Sequence, residues 1–277
     1  SGMRRIFEVD SDGGQLRRQP TSPQSIMQAK AYIISENQTL ADKDKWALQF
    51  GDAFSSLAFV NPVYLDEADM HNMVNNGTID SHYRSSWVKS FDANAKNLTA
   101  TQDTRHRPGR LPHELGCTLA HRSAWKQFLQ EYSSGTAAPW AAFFESDTGF
   151  QSDFRKRAKN LQSALQTMPA WDLVFMGHCF EHCAPSPGSV SIGGNVYVMN
   201  TTAALCTNSY LLSVKGAQTL LSGTMPLQAA VDEKMRAAYG SGAIKSLSVC
   251  PRITQQPWQG NRNSDEYLRL GPDPSYD

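Results

Sequence analysis

The sequence carries no excess charge of either sign, because 26 lysine and arginine residues are matched by 26 aspartate and glutamate residues over 277 positions. A chain without a net positive field does not concentrate nucleic acid or anionic membrane at its surface. We therefore expect no nucleic-acid partner, and any phosphate must be bound locally. No uninterrupted apolar run approaches the roughly 18 residues that a membrane helix requires. The composition predicts a soluble globular protein.

Cysteine is also scarce, and the count is odd. Five cysteines are too few for a disulfide scaffold at this length, and at least one of them has no partner within the chain. They are Cys117, Cys179, Cys183, Cys206 and Cys250. Four Asn-x-Ser/Thr sequons would accept glycans in a secretory compartment. They begin at Asn37, Asn76, Asn97 and Asn200. We expect a Golgi or endoplasmic-reticulum lumen, or the cytoplasm if the protein is of a bacterial type.

The chain divides into a short lead-in and one long domain. Residues 1–25 are polar and have no apolar periodicity, which is typical of a flexible stem. Ser1-Gly2-Met3 has the form of a cleavage remnant, so the membrane attachment that we allow for is a segment removed ahead of Ser1. Residues 26–277 form the predicted domain, which shows no internal repeat and no low-complexity tract.

Strand-like and helix-like segments alternate along this domain. Short apolar runs predict strands at 31–34, 57–60, 140–144, 172–176, 196–199, 210–212 and 244–249. Amphipathic spacing predicts helices from about residue 40 and at 115–132, 154–168, 214–221 and 227–239. This alternation is typical of an α/β protein with a mostly parallel sheet sandwiched by helices.

Two carboxylates follow the most apolar of these strands. Glu145 and Asp147 come directly after the run Trp140 to Phe144. Ligands bind at the carboxyl ends of strands in such sheets, and residues two apart in an extended segment point the same way. The pair could hold Mn²⁺ or Mg²⁺ through oxygen ligands, although charged residues also end many strands without binding a metal.

Six ordered segments carry a family resemblance. They are residues 114–125 (ELGCTLAHRSAW), 143–147 (FFESD), 171–177 (WDLVFMG), 207–221 (TNSYLLSVKGAQTLL), 226–233 (PLQAAVDE) and 255–265, which opens with two glutamines and closes with NSD. In this order they resemble the motifs of glycosyltransferase family 25, which includes bacterial lipooligosaccharide galactosyltransferases and procollagen galactosyltransferases. The resemblance covers roughly half of the chain and implies a GT-A-like, Rossmann-related fold.

The resemblance also implies a reaction. It is the metal-dependent, inverting transfer of a hexose, with galactose favoured, from a UDP-sugar to a hydroxyl of a glycan or a hydroxylated acceptor. Glu145 and Asp147 match the metal motif, and Gln256 stands where collagen-modifying relatives have a metal-binding histidine. For the general base that inversion requires, Asp232 is our first candidate and Glu233 the second.

Three further residues are candidates for binding the donor. Ser35 follows the first strand, where a GT-A fold receives uracil, and His178 ends a family strand beside the donor pocket. Ser146 replaces the middle acid of the family's acidic triplet. This replacement leaves a second function open, a catalytically silent sugar- or nucleotide-binding module on the same fold.

The other prominent side chains allow both structural and functional interpretations. We expect Trp125 in the core and His121 either hydrogen-bonded in the core or in contact with the donor. Residues 178–183 contain two histidines and two cysteines, the ligand types of zinc, without a matching second half elsewhere. We favour packing or a substrate contact for His178. We expect Cys179 or Cys183 either to pair with Cys206 or Cys250 or to stay a buried thiol.

Overall fold

The computed structural model describes residues 29–35, 38–80 and 110–256. The predicted stem over residues 1–25 and the end of the predicted domain over residues 257–277 lie outside them. Within the described residues the strands are β1 (Lys30–Ile34), β2 (Leu57–Val60), β3 (Trp140–Glu145), β4 (Gly149–Phe150), β5 (Leu173–Cys179), β6 (Val190–Gly193), β7 (Val196–Asn200), β8 (Leu205–Ser213), β9 (Ser246–Cys250) and β10 (Thr254–Gln255). The helices are α1 (Leu40–Phe50), α2 (Glu67–Asn75), α3 (Arg110–Ser133), α4 (Phe154–Thr167), α5 (Val214–Gly223) and α6 (Val231–Gly240).

Eight strands form one sheet in the order β2-β1-β3-β8-β5-β9-β7-β6, and β4 pairs with β10 beside it. β1 is parallel to β2 and β3, and β5 is parallel to β9. β8 is antiparallel to β3 and β5, and β7 is antiparallel to β9 and β6. Six of the eight strands therefore run in one direction, and β7 and β8 run in the other. The predicted α/β architecture with a mostly parallel sheet is confirmed, and it is compatible with the expected GT-A-like fold.

Helices cover both faces of the sheet because successive strand residues point to opposite sides. On β3, Phe144 belongs to the core under α1 and α4. Phe143 belongs to the core under α3, α5 and α6. Both phenylalanines are fully buried, and so is Trp125 of α3, as predicted. Within the described ranges, no helix combines the length and the apolar character needed to span a membrane.

The last helix begins later than the apolar spacing predicts. We expected a helix from Leu227, but α6 starts at Val231. The Leu227 backbone is already paired with another segment, since its N–H donates to the Thr78 carbonyl and its carbonyl accepts from Asp80 N. A backbone that forms this bridge cannot also form the first helical turn.

Candidate functional site

The candidate residues meet at one edge of the central sheet. The carboxyl ends of β1, β3, β5 and β9 lie at this edge because these strands run in the same direction. β8 runs the other way and therefore brings its first residues, including Cys206 and Thr207, to the same place. Open α/β sheets bind their ligands at this edge.

Glu145 is held by two side chains from different elements. Its Oε1 accepts a hydrogen bond from Thr207 Oγ1 at 2.5 Å and lies 3.1 Å from His121 Nε2. Burial disfavours the charged carboxylate, but the contacts with His121 and Thr207 outweigh burial and hold the pKa of Glu145 below its usual value. Glu145 is therefore an ionised carboxylate at neutral pH, fixed in one orientation.

A chain of hydrogen bonds continues from Glu145 into the core. His121 Nδ1 lies 2.7 Å from the Tyr210 hydroxyl, which accepts from Trp125 Nε1 at 2.8 Å. Because a carboxylate can only accept, His121 Nε2 donates to Glu145, and the Tyr210 hydroxyl links Trp125 Nε1 to His121 Nδ1. His121 is thus the core hydrogen-bonding residue of the two alternatives. Four residues from three of the six motif segments form this chain.

A close helix packing positions the first of these motif segments. A Cβ at Gly116 would overlap the carbonyl oxygen of Val63, so only glycine lets α3 approach the chain after β2 this closely. The next residue, Cys117, and His121 one turn further on then face Glu145. Their thiol and imidazole atoms and a Glu145 oxygen lie within 4.8 Å of one another.

Asp147 lies in the turn after β3, and within the described residues only one of its two carboxylate oxygens has a hydrogen-bond partner. Its Oδ2 accepts from Gln256 Nε2 at 2.8 Å, whereas the buried Oδ1 has no hydrogen-bond partner among the described residues. Burial and the nearby charge of Glu145 raise the pKa of Asp147, although the Gln256 hydrogen bond opposes the rise. The structure thus brings the predicted residues Asp147 and Gln256 into contact, with Glu145 close enough for its charge to act on Asp147.

The two candidate bases have different surroundings. Asp232 is half-buried at the start of α6, and its Oδ2 lies 3.4 Å from Cys206 N at the carboxyl edge. Glu233 has a half-exposed side chain, 3.9 Å from Arg236 Nη1. Burial and the charges of Glu145, Asp232 and Asp147 all raise the pKa of the Cys117 thiol.

The predicted donor-binding residues occupy three separate positions. Ser35 is buried at the end of β1, and its N–H donates to the Val60 carbonyl. Ser146 is exposed in the turn between Glu145 and Asp147. His178 is buried, with its Nε2 2.9 Å from the Val249 carbonyl oxygen on β9. Contact of these residues with a donor stays a prediction.

Two disulfides brace the carboxyl edge. Cys179 is bonded to Cys206 and Cys183 to Cys250, so of the alternatives left open by the sequence the disulfides form, and Cys117 is the free cysteine. Because their sulfurs are used in these bonds, the cysteines of the 178–183 segment are not thiolate ligands for zinc.

A buried carboxylate holds the loops between these disulfides. Glu181 is 2% exposed, and the hydrogen bonds it accepts outweigh its burial and lower its pKa. The donors are His182 N, Thr202 N, Thr202 Oγ1, Ala203 N and Ser248 Oγ. The loop that leads into Cys206 and Thr207 is therefore fixed relative to β5 and β9.

The sequence reasoning missed Thr207 as a site residue. Thr207 opens the fourth motif segment, residues 207–221, but the apolar pattern predicted a strand only from Tyr210, so the position of Thr207 at the edge was not evident. The only available signal was its place at the start of the 207–221 segment, because the sequence did not show that β8 runs antiparallel to β3 and brings Thr207 to the carboxyl end of β3.

A family model covers most of the elements that build this edge. The model of glycosyltransferase family 25 (LPS biosynthesis protein) matches residues 28–235. The chain belongs to glycosyltransferase family 25. Its match therefore includes Glu145, Asp147 and Asp232, while Gln256 lies beyond it.

Curated relatives share part of this sequence. The chain is 29% identical over 160 residues to procollagen galactosyltransferase 1-A of Xenopus laevis, which is 55% of this chain and 24% of that protein. It is 26% identical over 153 residues to procollagen galactosyltransferase 1 of Danio rerio, covering 54% of this chain and 24% of that protein. It is 31% identical over 110 residues to a probable inactive glycosyltransferase 25 family member 3 of Rattus norvegicus, covering 39% of this chain and 18% of that protein. The matches span a quarter or less of each relative.

Proposed function

We propose that the protein is a metal-dependent, inverting hexosyltransferase that uses a UDP-sugar donor, with galactose as the favoured hexose. The observation that carries the proposal is the buried Oδ1 of Asp147, which has no partner among the described residues, two positions after the carboxylate of Glu145. Family membership supports the transfer of a sugar, and the names of two relatives support galactose.

The donor set fits a hard divalent cation such as Mn²⁺ or Mg²⁺, which prefers oxygen ligands. Asp147 Oδ1 would bind it, with Glu145 and the side-chain oxygen of Gln256 as further ligands. Bound there, the cation would neutralise charge on the diphosphate as it leaves the sugar. Gln256 orients Asp147 through its Nε2, and His121 and Thr207 keep Glu145 ionised.

Asp232 is the proposed base of a single displacement. In that step the bond from the sugar C1 to the diphosphate oxygen breaks, and a bond from C1 to the acceptor oxygen forms on the opposite face. The acceptor hydroxyl gives its proton to Asp232, and the nucleoside diphosphate leaves with the bonding electron pair. Asp232 suits this role better than Glu233 because it is half-buried and faces Cys206 at the edge, whereas Glu233 lies against Arg236 in solvent.

The proposed compartment is the secretory pathway. Disulfides persist in oxidising compartments and are rare in the cytosol, and this chain has two of them. The acceptor in that setting would be a glycan or a hydroxylated polypeptide.

A second candidate is a silent module that binds a sugar or nucleotide without transferring it. Ser146 in place of an acid and the likeness to a probable inactive family member favour it.

The release of UDP from UDP-galactose, measured with Mn²⁺ and with EDTA, separates the two candidates. The transferase releases UDP slowly to water, faster with a suitable acceptor, and only with the metal. The Asp232→Asn variant should bind UDP normally but lose at least about 100-fold in turnover. Binding of UDP-galactose by the wild-type protein without any UDP release across an acceptor panel would favour the silent module.

A further inference from the structure

An unpartnered amide is buried beside the proposed donor site. Asn208 is 1% exposed, and within the part of the chain that the structure describes its Nδ2 has no hydrogen-bond partner. Burying an unsatisfied donor costs stability, and buried polar groups in native proteins are otherwise almost always paired. The position of this amide therefore requires an explanation beyond packing.

The chain makes room for the Asn208 side chain. A Cβ at Gly177 would lie 2.6 Å from Asn208 Nδ2 and 2.7 Å from Asn208 Oδ1, and it would overlap Thr254 Oγ1. Glycine at this point of β5 lets the amide lie over the strand. Gly177 ends the WDLVFMG segment, whose last position thus has a steric function.

Neighbouring contacts place Asn208 next to the Asp147 turn. Phe144 of β3 pairs with Ser209 of β8, so the next residues toward the edge are Glu145 on one strand and Asn208 on the other. The Asn208 carbonyl accepts a hydrogen bond from Thr148 Oγ1 at 2.6 Å, and Thr148 directly follows Asp147. The backbone of Asn208 is therefore fixed beside the turn that carries Asp147.

The unsatisfied atoms of Asp147 and Asn208 need hydrogen-bonding partners of opposite kinds. Asp147 Oδ1 is an acceptor that a cation would satisfy, and Asn208 Nδ2 is a donor that an anionic oxygen would satisfy. A nucleoside diphosphate with a bound divalent cation supplies both the cation and the anionic oxygen. We propose that Asn208 Nδ2 donates a hydrogen bond to a diphosphate oxygen of the donor substrate. This inference rests on the proposed function and adds a binding residue to it.

A hydrogen bond to this oxygen also bears on the reaction. Negative charge accumulates on the diphosphate as its bond to the sugar breaks, so a donor already in place binds the leaving group more strongly than the intact substrate. Asn208 then contributes to turnover as well as to affinity.

Titration calorimetry with UDP in the presence of Mn²⁺ tests the inference. The Asn208→Ala variant should bind UDP about 10- to 100-fold more weakly than the wild type, because it loses one hydrogen bond to a charged group. Its affinity for Mn²⁺ alone should not change. The matched control is Asn160→Ala, since the Asn160 amide already donates to the Ile192 carbonyl at 2.7 Å, on β6, the last strand of the sheet. It should bind UDP like the wild type.

A second variant keeps the inference testable if Asn208→Ala does not fold. Asn208→Asp keeps the shape of the side chain but replaces the donor by a negative acceptor, so it should weaken UDP binding more than Asn208→Ala does. Wild-type UDP affinity in both folded variants would overturn the inference and leave the proposed function standing. If the wild-type protein itself fails to bind UDP with Mn²⁺, the proposed function and the inference fall together.

Discussion

Gln256 Nε2 donates a hydrogen bond to Asp147 Oδ2 over 2.8 Å and so connects two residues that are 109 positions apart. This contact uses one carboxylate oxygen of Asp147 and leaves the buried Oδ1 unsatisfied. The half-satisfied carboxylate makes the edge less stable than it could be when no ligand is bound. Functional sites are often less stable without their ligand, and ligand binding restores the stability.

The Asp147→Asn variant should therefore melt at a higher temperature than the wild type in EDTA at pH 7. Burial and Glu145 raise the pKa of Asp147. A group with a raised folded pKa stabilises the native state below its unfolded pKa, and this contribution is lost as the pH rises through the folded pKa. We expect a rise of about 2–4 °C by scanning fluorimetry, the shift that 1 kcal/mol produces in a chain of this size.

The control for that prediction is Asp153→Asn, because Asp153 forms an ion pair with Arg157 near the surface. Its melting temperature should stay level or fall. If Asp147→Asn melts below the wild type in EDTA by as much as this control or more, the interpretation of Asp147 as an unsatisfied buried carboxylate is wrong.

Thr207→Val should lower the stability at neutral pH and make the stability depend less on pH in the acid range. The hydroxyl of Thr207 helps to keep the pKa of Glu145 below its ordinary value of 4.5. The stability from a lowered pKa is fully present above the unfolded pKa and is lost as the pH falls through the folded value. Without the hydroxyl, we expect about 1.5–3 kcal/mol less stability at pH 7 and a smaller loss on going from pH 5 to pH 3.

Urea unfolding at pH 7, 5 and 3 measures both effects. Thr167→Val is the matched control, since its hydroxyl donates to the Ala164 carbonyl at the exposed end of α4. The control should leave the pH dependence unchanged. An identical pH dependence in Thr207→Val and the wild type would contradict the account of Glu145.

The apolar pattern predicted many of the strands, but it did not predict their directions. The runs at β1, β2, β3 and β5 predicted their strands because side chains buried on both faces give nearly continuous apolar segments. β6 was not predicted, since two of its four residues are exposed. The reversal of β8 depends on pairing across the sheet, which local periodicity does not specify.

The site was predicted at the level of residue types and motif order, but its contacts came from the fold. Glu145 and Asp147 were predicted from their position after a buried strand. Two of their hydrogen-bond partners, Thr207 on β8 and Gln256 just after β10, lie 62 and 109 positions away in the sequence. Tertiary pairing of this kind is not encoded in any local window of the sequence.

Tyr210→Phe should destabilise the protein strongly. The change leaves Trp125 Nε1 and His121 Nδ1 buried without the hydroxyl that joins them. We expect a loss of about 2–4 kcal/mol in urea unfolding, because each stranded polar atom costs about 1–3 kcal/mol. Tyr239→Phe removes a hydroxyl that only donates to the Ala204 carbonyl, and it should cost about 1 kcal/mol. Equal losses in the two variants would refute the proposed hydrogen-bond chain.

Replacing Cys179 and Cys206 together by serine should lower the free energy of unfolding by about 2–4 kcal/mol, because the disulfide closes a loop of 27 residues in the unfolded chain. UDP release should also fall, since Cys206 precedes Thr207. The Cys117→Ala variant keeps both disulfides and should retain the wild-type response of its unfolding to dithiothreitol. A double variant as stable as the wild type would show that the bond does not brace this edge.

The most direct test of the central claim is the binding of Mn²⁺, followed by the electron paramagnetic resonance signal of the free ion. The wild-type protein should remove Mn²⁺ from solution, and it should do so at least about 10-fold more tightly when UDP is present, because two ligands that contact each other bind cooperatively. Asp147→Asn should remove none under the same conditions. Equal Mn²⁺ binding by the wild type and Asp147→Asn would contradict the claim that Asp147 holds the catalytic cation.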